Sequence, residues 1–428
     1  MVKVNPPEYI IQVLGRLAAG GYSAYLVGGC VRDSIMGRPV HDWDITSSAK
    51  PEEAEDLFEK TVQTGKKYGT VTVIMPESTV EVTTFRTESG CHDGRRPSNV
   101  GFVSSPDEDL ARRDFTMNAI AVSASGEVLD PFGGTGDIEK RVIRCVGRPD
   151  ERFAEDALRM FRAFRFSAEL GFEIEPGTLA AISANAGKAR RISAERVRVE
   201  LERTLLSQKP EIAGEMIKTG LLARYLTSTA NNRAGFDDSA DFGGRADFGR
   251  LAAIAALPAE AALRWCAFCA ILLDNGSITS AGSFLRAMRL DSKTTKACAG
   301  AMSALPTLSP TPRQPVDVIK SSPNSPDRIA IKKLLAEYGM PAVRCAAATF
   351  DTLHGKTTLQ SVNEVLESGE CFSTDALAID GNDLIELGHA PGREIGETLA
   401  TLLDHVIQHP EANTFDDLIK IVEEIRDR

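Results

Sequence analysis

No stretch of this 428-residue chain stays apolar long enough to cross a bilayer. The longest run, Trp265 to Leu273, is far short of the roughly 20 residues that a spanning helix needs. Histidine is scarce, six in all, and forms no ligand cluster. The eight cysteines stand singly except for Cys266 and Cys269, which have no second pair and no nearby histidine. That spacing in so apolar a segment predicts a buried helix face rather than a zinc or redox site. Unpaired thiols suit a reducing compartment, and the opening Met1–Pro7 lacks the apolar core of a signal peptide, so a cytoplasmic location is expected.

Charge is abundant but unevenly spread. The net charge of −11 resides almost wholly at one end, where residues 361–428 carry 16 acidic side chains against 4 basic. Residues 1–360 are near balance, and Arg141 to Arg203 hold 13 basic against 10 acidic, nearly all the basic ones arginine. An arginine-rich middle and an acidic end confine phosphate contact to one zone.

The chemistry concentrates near the start. Leu26-Val27-Gly28-Gly29-Cys30-Val31-Arg32-Asp33 joins an apolar strand to a glycine turn, and His41-Asp42-Trp43-Asp44-Ile45 follows. Gly28 and Gly29 offer unencumbered N–H groups to a phosphate, and Arg32 adds a charged donor. With Asp42-Trp43-Asp44 extended, both carboxylates share a face while Trp43 packs behind. Two hard oxygen donors on a rigid element suit Mg²⁺. Either feature alone is weak; together they point to nucleotidyl transfer. Glu81, between Val80 and Val82 on a predicted strand, is a candidate third acid, either for metal or for the proton of an attacking hydroxyl.

Two further clusters are polar. Arg112-Arg113-Asp114-Phe115-Thr116-Met117-Asn118 falls in a segment, 107–121, whose pattern predicts a helix with Asp114 and Asn118 on one face. They are placed to bracket a ribose while Arg113 takes a phosphate; a solvated helix face is the plainer reading. Glu155 to Leu170 is likewise predicted as one helix, with Asp156 and Arg159 a turn apart. Carboxylate and guanidinium side by side present acceptor and donors like a Watson–Crick edge. Arg162 and Arg165, rotated away, are expected at phosphates.

Elsewhere, residues 8–19 read as a helix, Pro51 opens another, and 71–75 with 79–85 form a hairpin. Residues 20–146 therefore make a mixed α/β unit around a small sheet, and after Gly147 the pattern turns helical and stays so. The stretches 227–248 and 305–328 read as a polar loop and a connector.

These clusters, in this order, resemble the class II tRNA nucleotidyltransferase and poly(A) polymerase family, most closely its bacterial CCA-adding enzymes. The resemblance rests on Gly28-Gly29-x-x-Arg32-Asp33, Asp42-x-Asp44, Arg86-Thr87-Glu88, Arg95-Arg96-Pro97, the Arg113–Asn118 cluster, Asp130-Pro131-Phe132-Gly133-Gly134, Glu155-Asp156-x-x-Arg159 and Ile192-Ser193-x-Glu195-Arg196. It implies an α+β fold: a polymerase-beta-like nucleotidyltransferase head (1–146) with a small mixed sheet, then a helical neck (147–209), body (210–350) and acidic tail (351–428). It also implies Mg²⁺ on Asp42 and Asp44, and a nucleotide site lined by Gly29, Arg32, Arg113, Arg159, Arg162 and Arg165. Asp156 and Arg159 would act as a protein template for CTP and ATP, and the partner would be the 3′ end of tRNA. Alternatives are A-only or CC-only addition, poly(A) synthesis, and, more distantly, RNA binding without catalysis. In that family the loop corresponding to Glu88–Pro97 helps reshape the site from CTP to ATP and is missing from CC-only enzymes; its presence here disfavours that variant.

Overall fold

The computed structural model describes residues 4–65, 68–89, 99–226, 248–308 and 326–426. The chain divides into two compact units, which meet in sequence at Arg224 and Tyr225.

The first unit opens with helix α1 (Glu8–Ala19), whose apolar stripe of Ile10, Val13, Leu14 and Leu17 is buried. Strand β1 (Ala24–Val27), helix α2 (Gly29–Ile35) and strand β2 (Asp44–Ser47) follow, then α3 (Pro51–Leu57), which starts on proline with Glu53 bonding back to the Lys50 N–H. Next come β3 (Thr61–Gly65), β4 (Thr70–Ile74), β5 (Thr79–Thr84), β6 (Arg86–Ser89) and β7 (Asn99–Phe102). After α4 (Pro106–Ala111) the chain forms β8 (Ala121–Ser123), β9 (Val128–Leu129), α5 (Gly134–Lys140) and β10 (Val142–Ile143).

One mixed sheet takes the order β3-β4-β5-β2-β1-β8-β9. Its pairings are antiparallel except β2 with β5, which run parallel. Alternation along β5 buries Val80, Val82 and Thr84 and turns Glu81 outward. β6 and β7 form a separate antiparallel pair bracketing residues 90–98, so the Arg95-Arg96-Pro97 motif lies outside the described residues.

The remainder of this unit is mainly helical: α6 (Pro149–Glu155), α7 (Leu158–Leu170), the short β11 (Glu173–Ile174) paired with β10, then α8 (Pro176–Asn185), α9 (Ala194–Leu206) and α10 (Ile212–Lys218). Phe153, Phe161 and Phe164 are buried, each worth roughly 1.5–3 kcal/mol of transfer free energy.

The second unit is helical throughout: α11 (Ala261–Asp274), α12 (Ala281–Ala287), α13 (Ser292–Ala304), α14 (Pro326–Tyr338), α15 (Met340–His354), α16 (Thr358–Glu367), α17 (Gly381–Glu386), α18 (Arg393–Gln408) and α19 (Phe415–Arg426). Cys266 and Cys269 are fully buried in α11, as their apolar setting predicts, beside Trp265 and Phe268. A separate cluster of Leu384, Leu402, Val406, Leu418 and Val422 holds the last three helices together under their acidic faces. Among the described residues no helix is long and apolar enough to cross a membrane.

Gly134 shows how tightly the sheet's far edge is built. A Cβ there would stand 2.1 Å from the Thr116 carbonyl oxygen, a backbone atom with nowhere to go. Asp130 fixes the approach by accepting from the N–H groups of Gly134 and Thr135 at 2.6 and 2.9 Å. Gly134→Ala should therefore cost about 3 kcal/mol through forced backbone displacement, read as a lowered thermal midpoint. An unchanged melt would show that this turn can relax.

Candidate active site

The glycine turn adopts the geometry its composition suggests. Gly28 has φ +81°, a left-handed conformation that costs glycine nothing, and α2 begins at the next residue. A Cβ on Gly28 would stand 3.2 Å from Arg113 Nη1, and one on Gly29 would stand 3.7 Å from Arg32 Nη2. Two guanidinium groups distant in sequence thus flank one bare turn of backbone. Arg32 is fixed by a two-pronged bond to Asp33, at 3.0 and 2.9 Å, and donates to Asn118 Oδ1 at 2.8 Å. Asn118 donates to Asp114 Oδ1 at 3.0 Å, and Asp114 Oδ2 accepts from Arg162 Nε at 2.8 Å. Burial alone would raise the Asp114 pKa. The charge of Arg162, the Asn118 bond and Arg159 outweigh it and hold the carboxyl well below its ordinary range.

This cluster is not on a helix, contrary to the sequence pattern. α4 ends at Ala111; Phe115 pairs with Cys145 in an isolated bridge, and Thr116–Asn118 is a single tight turn. The backbone is drawn outward because Thr116 N–H donates to Arg144 O and Val146 N–H to Asp114 O. Asp114 and Asn118 still meet, across a turn rather than along a helix face.

The acids also gather, with one adjustment. β2 begins at Asp44, so Asp42 and Trp43 precede the strand rather than belong to it. Alternation nevertheless holds: both aspartates are exposed and Trp43 is half-buried. Asp44 sits in register with Glu81 across the parallel β2–β5 pair. Its pKa is raised, first by the water its surroundings exclude, then by repulsion from Glu81 and Asp42, with Arg113 pulling the other way. Among the described residues no three His, Cys, Asp or Glu side chains form a ready metal cage. Repelling carboxylates at the surface fit a Mg²⁺ ion that draws its other ligands from water and substrate.

Residues 155–170 are likewise not one helix. Asp156 is extended and separates α6 from α7; its Oδ1 caps α7 by accepting from Leu158 N–H at 3.0 Å, while Oδ2 takes Arg196 Nη2 of α9 at 2.7 Å. Arg159, in the first turn of α7, donates to Glu155 Oε2 at 2.6 Å and to Arg112 O at 2.7 Å. Asp156 and Arg159 therefore emerge from a sharp corner, each gripped by another element.

Arg165 goes elsewhere. It is 3% exposed, ion-paired with Glu200 at 2.8 Å, with its guanidinium 4.1 Å from the Phe166 ring centroid. Burial pushes the Arg165 pKa down to about 10 and raises that of Glu200, each partly offset by the other. The phosphate contact expected of it is not met in this geometry. Glu200 and the buried Asp109 were not singled out from the sequence, although Asp109 stands three and four residues before Arg112 and Arg113, a spacing that signals ion pairing.

Glu200→Gln should leave the buried Arg165 guanidinium only the more distant Glu169, 3.9 Å away, as counter-charge and destabilise the fold by about 3 kcal/mol. Denaturant unfolding checks this; a loss below about 1 kcal/mol would mean that Arg165 finds another partner.

Residues 24–144 match the model of the poly A polymerase head domain, and 171–231 that of the probable RNA and SrmB-binding site of polymerase A. The CCA-adding enzyme of Limosilactobacillus fermentum is 37% identical over 413 residues, spanning 96% of each chain. That of Geobacillus sp. (strain WCH70) is 36% identical over 97% of this chain and 96% of its own. In three dimensions the chain superposes on the Bacillus stearothermophilus CCA-adding enzyme in complex with CTP, with a TM-score of 0.77, 32% identity and 99% of both chains covered. A glycine turn flanked by arginines, a carboxylate pair at a strand start and a near full-length match together lead to one conclusion: the chain belongs to the family of CCA-adding enzymes built on a poly A polymerase head.

Proposed function

We infer that this chain is a tRNA nucleotidyltransferase that adds C, C and A to the 3′ end of tRNA, using CTP and ATP and releasing pyrophosphate, without a nucleic-acid template. The observation that carries the reading is the convergence of Arg32 and Arg113 on the Gly28–Gly29 turn, with Arg113 near enough to Asp44 for its charge to oppose the repulsion from Glu81 and Asp42.

The triphosphate lies along Gly28 and Gly29, its charge met by Arg32 and Arg113, donors already held in place before substrate arrives. Asp114 and Asn118 take the ribose, and Arg162, neutralised on one side by Asp114, offers its remaining N–H groups to the nucleotide. Asp156 and Arg159 read the base edge. Arg165, ion-paired with Glu200, backs this surface rather than touching phosphate. Asp42 and Asp44 would hold Mg²⁺, which when bound supplies Lewis-acid activation of the attacking oxygen and stabilises the departing pyrophosphate. Glu81, the register partner of Asp44, is assigned the proton of the attacking hydroxyl. The tRNA 3′-oxygen attacks the α-phosphorus in line; the new P–O bond forms as the bond to the bridging oxygen of pyrophosphate breaks.

These roles lie in a head (1–146) and a neck (147–209), with the body (210–350) and acidic tail (351–428) left to tRNA and packing. The arginine-rich stretch 141–203 is where tRNA phosphates would be met. The unpaired thiols among the described residues suit a reducing environment and, with a tRNA substrate, support a cytoplasmic location.

Purified protein given tRNAs ending before CCA, after C and after CC, with each labelled nucleotide, should add C to the first two and A to the third. Asp42→Ala or Asp44→Ala should abolish all three steps, a loss on the order of several kcal/mol in transition-state stabilisation, while the protein still folds. Addition of A alone or of C alone would change the specificity. Appreciable turnover by either variant would overturn the two-carboxylate assignment.

A further inference from the structure

We propose that the last nucleoside of the acceptor tRNA rests on the outer edge of the active-site sheet, with its base against Val62 and Ile74 and the phosphate on its 5′ side at Lys60. The inference deepens the nucleotidyl-transfer reading above and rests on it; the wild-type assay tests that reading on its own.

The strand order reserves this side of the sheet for the acceptor. Along β3-β4-β5-β2-β1 the acids divide the exposed face: Glu81 lies on β5, Asp44 begins β2, and the Gly28–Gly29 turn with its two arginines follows β1. With the triphosphate over that turn, pyrophosphate departs on the β1 side. In-line displacement puts the attacking oxygen on the opposite side of the α-phosphorus, over β5. The nucleoside that carries this oxygen then extends over β4 and β3.

The register shows what it meets there. Asp44, Glu81, Thr72 and Val62 form one row across four neighbouring strands, so their side chains share a face. Ile74, two residues along β4 from Thr72, is on that face too and stands diagonal to Val62, within reach of a common partner. Two strand spacings separate Glu81 from Val62, about 10 Å, close to the length of a nucleoside from its 3′-oxygen to the far edge of its base. Val62 is 46% and Ile74 41% exposed, and β3 is the last strand of the sheet, so the pair lies open at the edge. Lys60 stands across from Ile74, its carbonyl accepting from the Ile74 N–H at 3.0 Å, and among the described residues its exposed side chain has no ion-pair partner. Single apolar side chains on a surface are ordinary. Two of them in line with the reacting acids, with a cation beside them, match one nucleotide: an apolar seat for the base and a charge for its phosphate.

The test uses the full chain with CTP and a tRNA ending before CCA. Val62→Thr combined with Ile74→Thr keeps the β-branched shape and strand preference while making the seat polar. This double variant should raise KM for tRNA about tenfold, the order of one lost base contact, with KM for CTP and the melting temperature unchanged. A tRNA whose 3′-terminal nucleotide lacks its base should lose the same factor with the wild-type protein and nothing further with the double variant. Val62→Ile combined with Ile74→Leu, which keeps the seat apolar, should retain the wild-type KM. Lys60→Gln should raise KM for tRNA about threefold and flatten its salt dependence by about 0.7 in logarithmic slope, one single-strand phosphate contact. That exposed substitution decides the matter if the double variant fails to fold. An unchanged KM for tRNA, an equal rise in both KM values, or additive losses from base and side chains would each overturn the proposal. So would a wild-type dimer that the double variant dissolves, which would give this edge to a second copy of the chain. Failure of the wild-type protein to add C would instead overturn the reading it rests on.

Discussion

A guanidinium on a flexible stem is a poor instrument of recognition until something immobilises it, and here buried or half-buried carboxylates do that work. Asp114 holds Arg162, Glu155 holds Arg159, Asp33 grips Arg32 with both oxygens, and Asp109 takes Arg112 and Arg113 together. Each long side chain would otherwise lose about 1.5–2 kcal/mol of rotamer entropy on meeting a nucleotide. Ordering them during folding moves that cost out of the binding step and leaves oriented charge for the phosphate and base proposed to bind there. The remaining architecture follows from this requirement. The turn at 116–118 presents Asn118 to both Arg32 and Asp114, and the corner at Asp156 lets Arg196 of α9 brace the start of α7.

The opposite arrangement holds at the sheet. Asp44 faces Glu81 in register with Asp42 nearby, and its raised pKa reflects excluded water and repulsion that Arg113 only partly offsets. Like charges directly across a strand pair are destabilising. Their persistence at an exposed strand start argues for a counter-charge supplied from outside the chain, the part proposed above for divalent metal and nucleotide. One half of the site is thus neutralised by the fold, and the other waits to be neutralised by what binds.

Much of this was legible in residue order. The glycine turn, the spacing of Asp42 and Asp44, α1, the β4–β5 hairpin and the buried Cys266-x-x-Cys269 face all follow from local pattern, because each is fixed by neighbours a few residues away. Where local pattern misled, long-range bonds had overridden it. Helical spacing continues past Ala111, but Phe115 is captured by Cys145 and Thr116 by Arg144, contacts no window of the sequence reveals. Spacing from Glu155 to Leu170 reads as one helix, yet the Asp156 side chain caps a new one and is itself held by Arg196, forty residues on. Arg165 looked equivalent to Arg162 on one helix; the two differ because Glu200 lies behind one and Asp114 beside the other.

The central claim is that protein side chains replace a template, with Arg159 reading the base from a fixed position. The most direct measurement is the ratio of kcat/KM for CTP over UTP on a tRNA ending before CCA, in wild type and in Arg159→Ala. Loss of one oriented contact should narrow that ratio by about 1–3 kcal/mol while tRNA affinity stays near wild type. A ratio unchanged by the substitution would contradict the account.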